Sequence, residues 1–168
     1  EFANEHRINV VPRTGRTATE GGLETIVEDT IVLDGSRMDK ILSIDPVNMM
    51  VTAQCGVPLQ VLEDTVRAQG LTTGHSPQSK PIAQMGGLVA TRSIGQFSTL
   101  YGGIEDMVVG LEAVFPGGIV YDTDSLAGAR PMRDLDPALL AVILPSLLAD
   151  QDSGRALVPV SGRWLTPV

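Results

Sequence analysis

Residues 72–114 read TTGHSPQSKPIAQMGGLVATRSIGQFSTLYGGIEDMVVGLEAV. Leu71 to Gln84 is polar and irregular and is broken by Pro77 and Pro81. A loop of that length inside a compact domain is usually functional or disordered. Met85 to Arg92 predicts a short helix with a glycine face, where a backbone or a ligand can come close. Ile104 to Phe115 predicts a long strand, and Met107 to Phe115 is expected to be central and buried. Pro116-Gly117-Gly118 turns it into a hairpin with Ile119-Val120-Tyr121.

Working back toward the N-terminus, Pro58 suits the first position of a helix. That helix carries Leu59, Leu62 and Val66 at helical spacing, with Val61 as a further core candidate. Gly70 is a suitable left-handed stop. Ile41 to Asp45 and Met49 to Cys55 flank Pro46-Val47-Asn48 as a hairpin. Ile8 to Val11 is a short strand stopped by Pro12, and Thr30 to Leu33 is another, ended by the turn pair Asp34-Gly35. Strands and helices mix without βαβ alternation, so the fold class is α+β.

The chain has 168 residues, with 12 basic and 20 acidic side chains and a net charge of -8. That balance argues against a nucleic-acid grip, which needs a basic face. No apolar run is long enough to span a membrane. One cysteine, Cys55, makes no internal disulfide, and no Cys/His spacing suits a metal. A reducing, cytoplasmic setting fits this usage. The composition breaks near Ser125. From Leu126 on, four arginines and four aspartates cancel, and five of the 11 prolines gather there. The tail holds one candidate helix, Pro137 to about Ala149, with Pro145 to kink or end it. The start, Glu1-Phe2, reads as a cloning scar ahead of a damaged beginning.

Three segments carry candidate chemistry. In Pro12-Arg13-Thr14-Gly15-Arg16-Thr17-Ala18, small residues expose consecutive backbone N–H groups, which can cradle a pyrophosphate. By itself this also reads as a plain crossover turn, because the P-loop and dinucleotide spacings are absent. In Thr73 to Gln84, His75 has no partner visible in the sequence, while Ser79 and Gln84 offer hydrogen bonds. In Thr91-Arg92-Ser93-Ile94, the planar fork of Arg92 suits an anion or a surface ion pair. Glu105 and Asp106, read as strand neighbours, point to opposite faces and so make no paired-carboxylate site. Glu63 and Asp64 read as solvated charge on the polar side of their helix. Cys55 reads as a buried small hydrophobe rather than a nucleophile.

Residues 4–125 resemble the FAD-binding domain of vanillyl-alcohol-oxidase-type flavoproteins, the PCMH-type domain. Within it they resemble bacterial FAD-linked oxidoreductases related to alkyldihydroxyacetonephosphate synthase. The resemblance rests on VPRTGRTATEGGLETIVEDTIVLDGS (11–36), VTAQCGVPLQVLE (51–63) and the stretch at 72–114. It implies FAD at the seam of two α+β subdomains, here truncated, with 1–125 as the flavin domain and 126–168 as a tail of unclear origin. The family's phosphate loop, Pro-x-Gly-Gly-Gly-Thr-Ser, falls on Pro12, Arg13, Thr14, Gly15, Arg16, Thr17 and Ala18. Thr14 and Arg16 replace glycines. Further cofactor contacts fall on Gln78, Ser79 and Gln84, and on Thr91, Arg92, Ser93 and Ile94. Some members tether the flavin to a histidine at the position of Thr17. Threonine forms no such bond, so the implied FAD is non-covalent.

The implied activity is oxidation of a small hydroxy acid or related CH–OH substrate. Non-redox alkyl transfer and a non-catalytic folded fragment or chimera are the rivals. Catalytic residues are unassigned, no metal is implied, and self-association is left open. The chain alone is expected not to turn over substrate, because the family's cap domain supplies most catalytic side chains.

Overall fold

The structure is a computed structural model that describes residues 1–115, 118–122 and 166–167. The chain falls into two compact units. Of the described residues, one unit holds Phe2–Val109 with Thr166–Pro167; the other holds Glu1 and the described residues between Gly110 and Asp122.

In the larger unit, a one-turn helix α1 (Phe2–Glu5) leads into β1 (Asn9–Arg13), which pairs in parallel with β2 (Thr30–Asp34). Pro12 does not stop β1; it stands in register with Leu33. Among the described residues the sheet has only these two strands, so proline sits at an edge where its missing N–H costs no ladder bond. β3 (Ile41–Asp45) and β4 (Met50–Ala53) form the expected antiparallel hairpin. Asp45 Oδ1 accepts from the backbone N–H groups of Val47 and Asn48 and holds the turn.

Helix α2 (Leu59–Arg67) begins one residue after Pro58, which is its extended N-terminal flank rather than its first helical residue. Leu59, Leu62, Glu63 and Val66 are buried on one face, and Val61 is half exposed and outside the core. Gly70 takes φ +75° and turns the chain into β5 (Leu71–Thr72), whose partner is β8 (Thr166–Pro167).

The chain then returns across the start of α2. Leu59 N–H donates to Ala83 O (2.9 Å), Met85 N–H to Val57 O (3.0 Å) and Gly86 N–H to Cys55 O (2.8 Å). These bonds fix where α3 (Met85–Ala90) begins. Val57, Leu59, Leu62, Ala83, Met85, Leu88 and Ile104 form the core cluster.

Two one-turn helices follow, α4 (Ser98–Tyr101) and α5 (Ile104–Met107). The long strand expected from Ile104 is therefore absent from its first half. Asp106 accepts the Gly103 N–H at 2.8 Å and caps a helical turn there. Ile104 and Met107, three apart, both reach the core. Apolar residues at 104, 107 and 108 fit either period, and the local cap decides for the helix.

In the second unit, β6 (Glu112–Phe115) and β7 (Ile119–Asp122) form the expected hairpin. β6 alternates exposed and half-buried residues instead of being buried throughout. The candidate helix from Pro137 to Ala149 lies outside the described residues. Among the described residues, no helix is long and apolar enough to cross a membrane.

Candidate functional site

The loop after β1, the turn before α3 and the end of α3 meet around one cleft of about 950 Å³. Pro12, Thr14, Gly15, Arg16, Thr17 and Ala18 line it from the first segment, Ser79 and Gln84 from the second, and Thr91, Arg92, Ser93 and Ile94 from the third. Two of the expected residues do not. Arg13 turns to an ion pair with Asp34, and Gln78 is exposed beside the turn. A hydrogen bond donated by Arg13, with two more from Ser36, holds the Asp34 carboxyl well below the usual carboxylate range.

The first segment has its amides unspent. Among the described residues, no backbone N–H from Gly15 to Ala18 donates to a protein acceptor. Gly15 lies against the second segment so closely that a methyl group there would stand 2.7 Å from Ile82 O and 2.8 Å from Gln84 N. Arg16 sits at φ +57°, a left-handed conformation that favours glycine. A methyl at Gly87 would stand 2.7 Å from Thr14 Oγ1, so the glycine face of α3 packs on this loop.

The third segment closes α3. Arg92 takes φ +51° where a glycine is common, and its N–H donates to Val89 O while Ser93 N–H reaches back to Leu88 O. The Thr91 hydroxyl is spent on Gly87 O at 2.8 Å. The Arg92 guanidinium lies 3.4 Å from Glu105. Gln84 Oε1 is buried without a hydrogen-bond partner.

Several functional neighbours escape a reading by sequence. Thr19 to Glu24 form another wall of the cleft, with Glu20 and Glu24 as its acidic members. His75 is buried, and its Nε2 lies 3.1 Å from Ser93 Oγ, eighteen residues on. Burial holds the His75 pKa below the ordinary histidine value; nearby Glu105 opposes that shift and Lys80 adds to it.

Glu63 is not solvated; it is 1% exposed. Its carboxylate accepts from Thr72 Oγ1 (2.6 Å), Thr73 N–H (2.9 Å), Thr73 Oγ1 (2.6 Å) and Arg67 Nε (2.6 Å), with Lys80 Nζ at 3.8 Å. Burial alone would raise its pKa, but these donors outweigh it and bring it down to about 2. Helical spacing had suggested the polar face; the two threonines that arrive after Gly70 make it an interior site. Cys55 is half-buried rather than buried, under the glycine face of α3.

The donor set suits a long anionic ligand. Gly15 to Ala18 with their unspent amides, and Arg16, Arg92 and Gln84 with their polar side chains, all line one cleft.

Comparison with known proteins agrees with this chemistry. The family model described as FAD binding domain matches residues 1–124. The FAD-linked oxidoreductase YgcU of Escherichia coli K12 is 73% identical over 143 residues, which are 85% of this chain and 29% of the relative. D-lactate dehydrogenase [cytochrome] 1 of Saccharomyces cerevisiae is 31% identical over 125 residues, 73% of this chain and 21% of that protein. A solved alkyldihydroxyacetonephosphate synthase superposes with a TM-score of 0.67 at 32% identity, covering 72% of this chain and 23% of that one. The chain thus spans less than a third of the length of the proteins it matches.

Proposed function

The chain belongs to the FAD binding domain family and has its PCMH-type α+β fold, and from that premise we propose that the cleft holds FAD without a covalent bond. The observation that carries this reading is the run of unspent amides from Gly15 to Ala18, in residues that line the same cleft as Arg92. Those groups would hold the pyrophosphate. Ser79, Gln84, Thr91, Ser93 and Ile94 would line the rest of the cofactor. Arg13 and Gln78 enter only as backbone neighbours of these residues. Thr17 stands in the loop without a nucleophilic ring nitrogen or thiolate, which is the support for non-covalent binding.

The whole protein is proposed to oxidise a small hydroxy acid or related CH–OH compound. Bound FAD supplies the acceptor for the hydride equivalent that leaves the substrate carbon. The chain's own residues bind and orient: the amides and arginines neutralise negative charge, and Gln84, whose buried Oε1 has no partner, lines the same cleft. A non-redox alkyl transfer is the second reading, favoured by the likeness to alkyldihydroxyacetonephosphate synthase. The lone Cys55 supports a reducing, cytoplasmic setting. Self-association is part of the proposal for partners, with light scattering as its check.

The test is a titration of the flavin-free chain with FAD, followed by quenching of flavin fluorescence. Saturable binding at one FAD per chain is expected, and binding should weaken when Arg16 or Arg92 is replaced. A colourless protein that takes up no FAD overturns the reading. Dye reduction by the whole protein with glycolate or D-lactate separates oxidation from alkyl transfer.

A further inference from the structure

Ser93 is held more firmly than a cleft-lining loop residue needs to be. Its N–H donates to Leu88 O at 2.9 Å, and its carbonyl accepts from Ile104 N–H at 3.1 Å. Both backbone groups are spent, so the hydroxyl is the polar group it can offer to a ligand. That hydroxyl lies 3.1 Å from Nε2 of His75. The imidazole is 2% exposed, and its other nitrogen, Nδ1, is buried with no hydrogen-bond partner.

An orphaned buried N–H is rarer and costlier than an under-used acceptor. The neutral ring therefore keeps its proton on Nε2 and leaves the lone pair on Nδ1. Nε2–H then donates to Ser93 Oγ. With one of its lone pairs so engaged, the serine has its own hydrogen free to point into the cleft.

We propose that His75 is a positioning residue which, as the Nε2–H tautomer, fixes Ser93 as a hydrogen-bond donor to an acceptor atom of the cofactor. This rests on the proposal that the cleft holds FAD. The charged groups near the ring are Glu105 and Lys80, which act on it in opposite directions, and burial, the larger effect, disfavours its charged form.

Two measurements test this on the whole chain. The sequence has two histidines, His6 and His75, so nitrogen-15 spectra of the imidazoles are assigned with a single His6→Gln variant. A neutral Nε2–H ring at position 75 is expected. An Nδ1–H tautomer, or an imidazolium at pH 7, overturns the proposal. The second is a double-mutant cycle on the FAD dissociation constant. Ser93→Ala and His75→Leu should each weaken binding roughly tenfold, and the double variant no more than either alone. His75→Gln, which carries an N–H at about the same reach, should retain most of the affinity and shows that the pocket still folds. Additive losses, or an equal loss in the glutamine and leucine variants, overturn the proposal while FAD binding stands. No FAD binding by the unaltered chain overturns the functional reading and this donor's target together, whatever the tautomer.

Discussion

Glu63 is the residue where charge and fold are most tightly linked. Its folded pKa of about 2 lies below the ordinary 4.5. A depressed carboxyl pKa contributes stability that is fully present above the unfolded value and is lost as pH falls through the folded one. Urea unfolding should therefore show a loss on the order of 3 kcal/mol in this window, as pH drops from about 4.5 to about 2. Glu63→Gln should cost about 3–5 kcal/mol near neutral pH, because it strands Lys80 and both threonines, and it should flatten the acid limb. An unchanged acid limb in that variant would assign the loss to other carboxyls. Arg16 makes a prediction of two opposite signs. Its left-handed backbone strains any residue but glycine, so Arg16→Gly should raise stability by up to about 1 kcal/mol and weaken FAD binding by removing a cation. Arg16→Ala should weaken FAD binding without the stability gain. At Thr17 the expected outcome is chemical: acid precipitation should leave all FAD in the supernatant, and flavin in the pellet would contradict non-covalent binding.

Helix α2 and the two backbone approaches around α3 hold the cleft together at the next scale. Leu62 is fully buried in the core cluster and Val66 in a second cluster with Leu71. Leu62→Ala should cost about 2–5 kcal/mol and Val66→Ala somewhat less. Val61→Ala on the same helix should stay within about 0.5 kcal/mol, because that side chain is half exposed. The glycine pair Gly15 and Gly22 separates packing from loop flexibility. A methyl at Gly15 meets backbone on two sides, whereas at Gly22 nothing lies within 4 Å. Gly15→Ala should cost roughly 1–3 kcal/mol and impair FAD binding; Gly22→Ala should carry no such packing cost. Melting temperature with and without FAD reads both. The elements themselves were largely legible from sequence. β2, the β3–β4 hairpin, α2, α3 and the β6–β7 hairpin all follow from periodicity and turn residues. The misread element runs from Ile104 to Met107, where a one-turn helix capped by Asp106 carries a spacing that also suits a strand.

For the whole molecule, a ligand that binds only the folded state must stabilise it by mass action. FAD at a hundred times its dissociation constant should add about 2.7 kcal/mol, seen as a concentration-dependent rise in melting temperature. No shift at saturating FAD would mean that the cleft is not a cofactor site in this chain. The sequence by itself determined the α+β class and the family. It also determined which three segments carry polar and small residues, because these rest on local periodicity, turn chemistry and motif spacing. Only the tertiary structure decided that Arg13 leaves the cleft for Asp34, that Glu63 is buried beneath Thr72 and Thr73, and that His75 finds Ser93. Each of those facts is a contact between residues 9 to 21 positions apart. Chain spacing does not encode which way a side chain turns when another segment arrives with a better hydrogen bond.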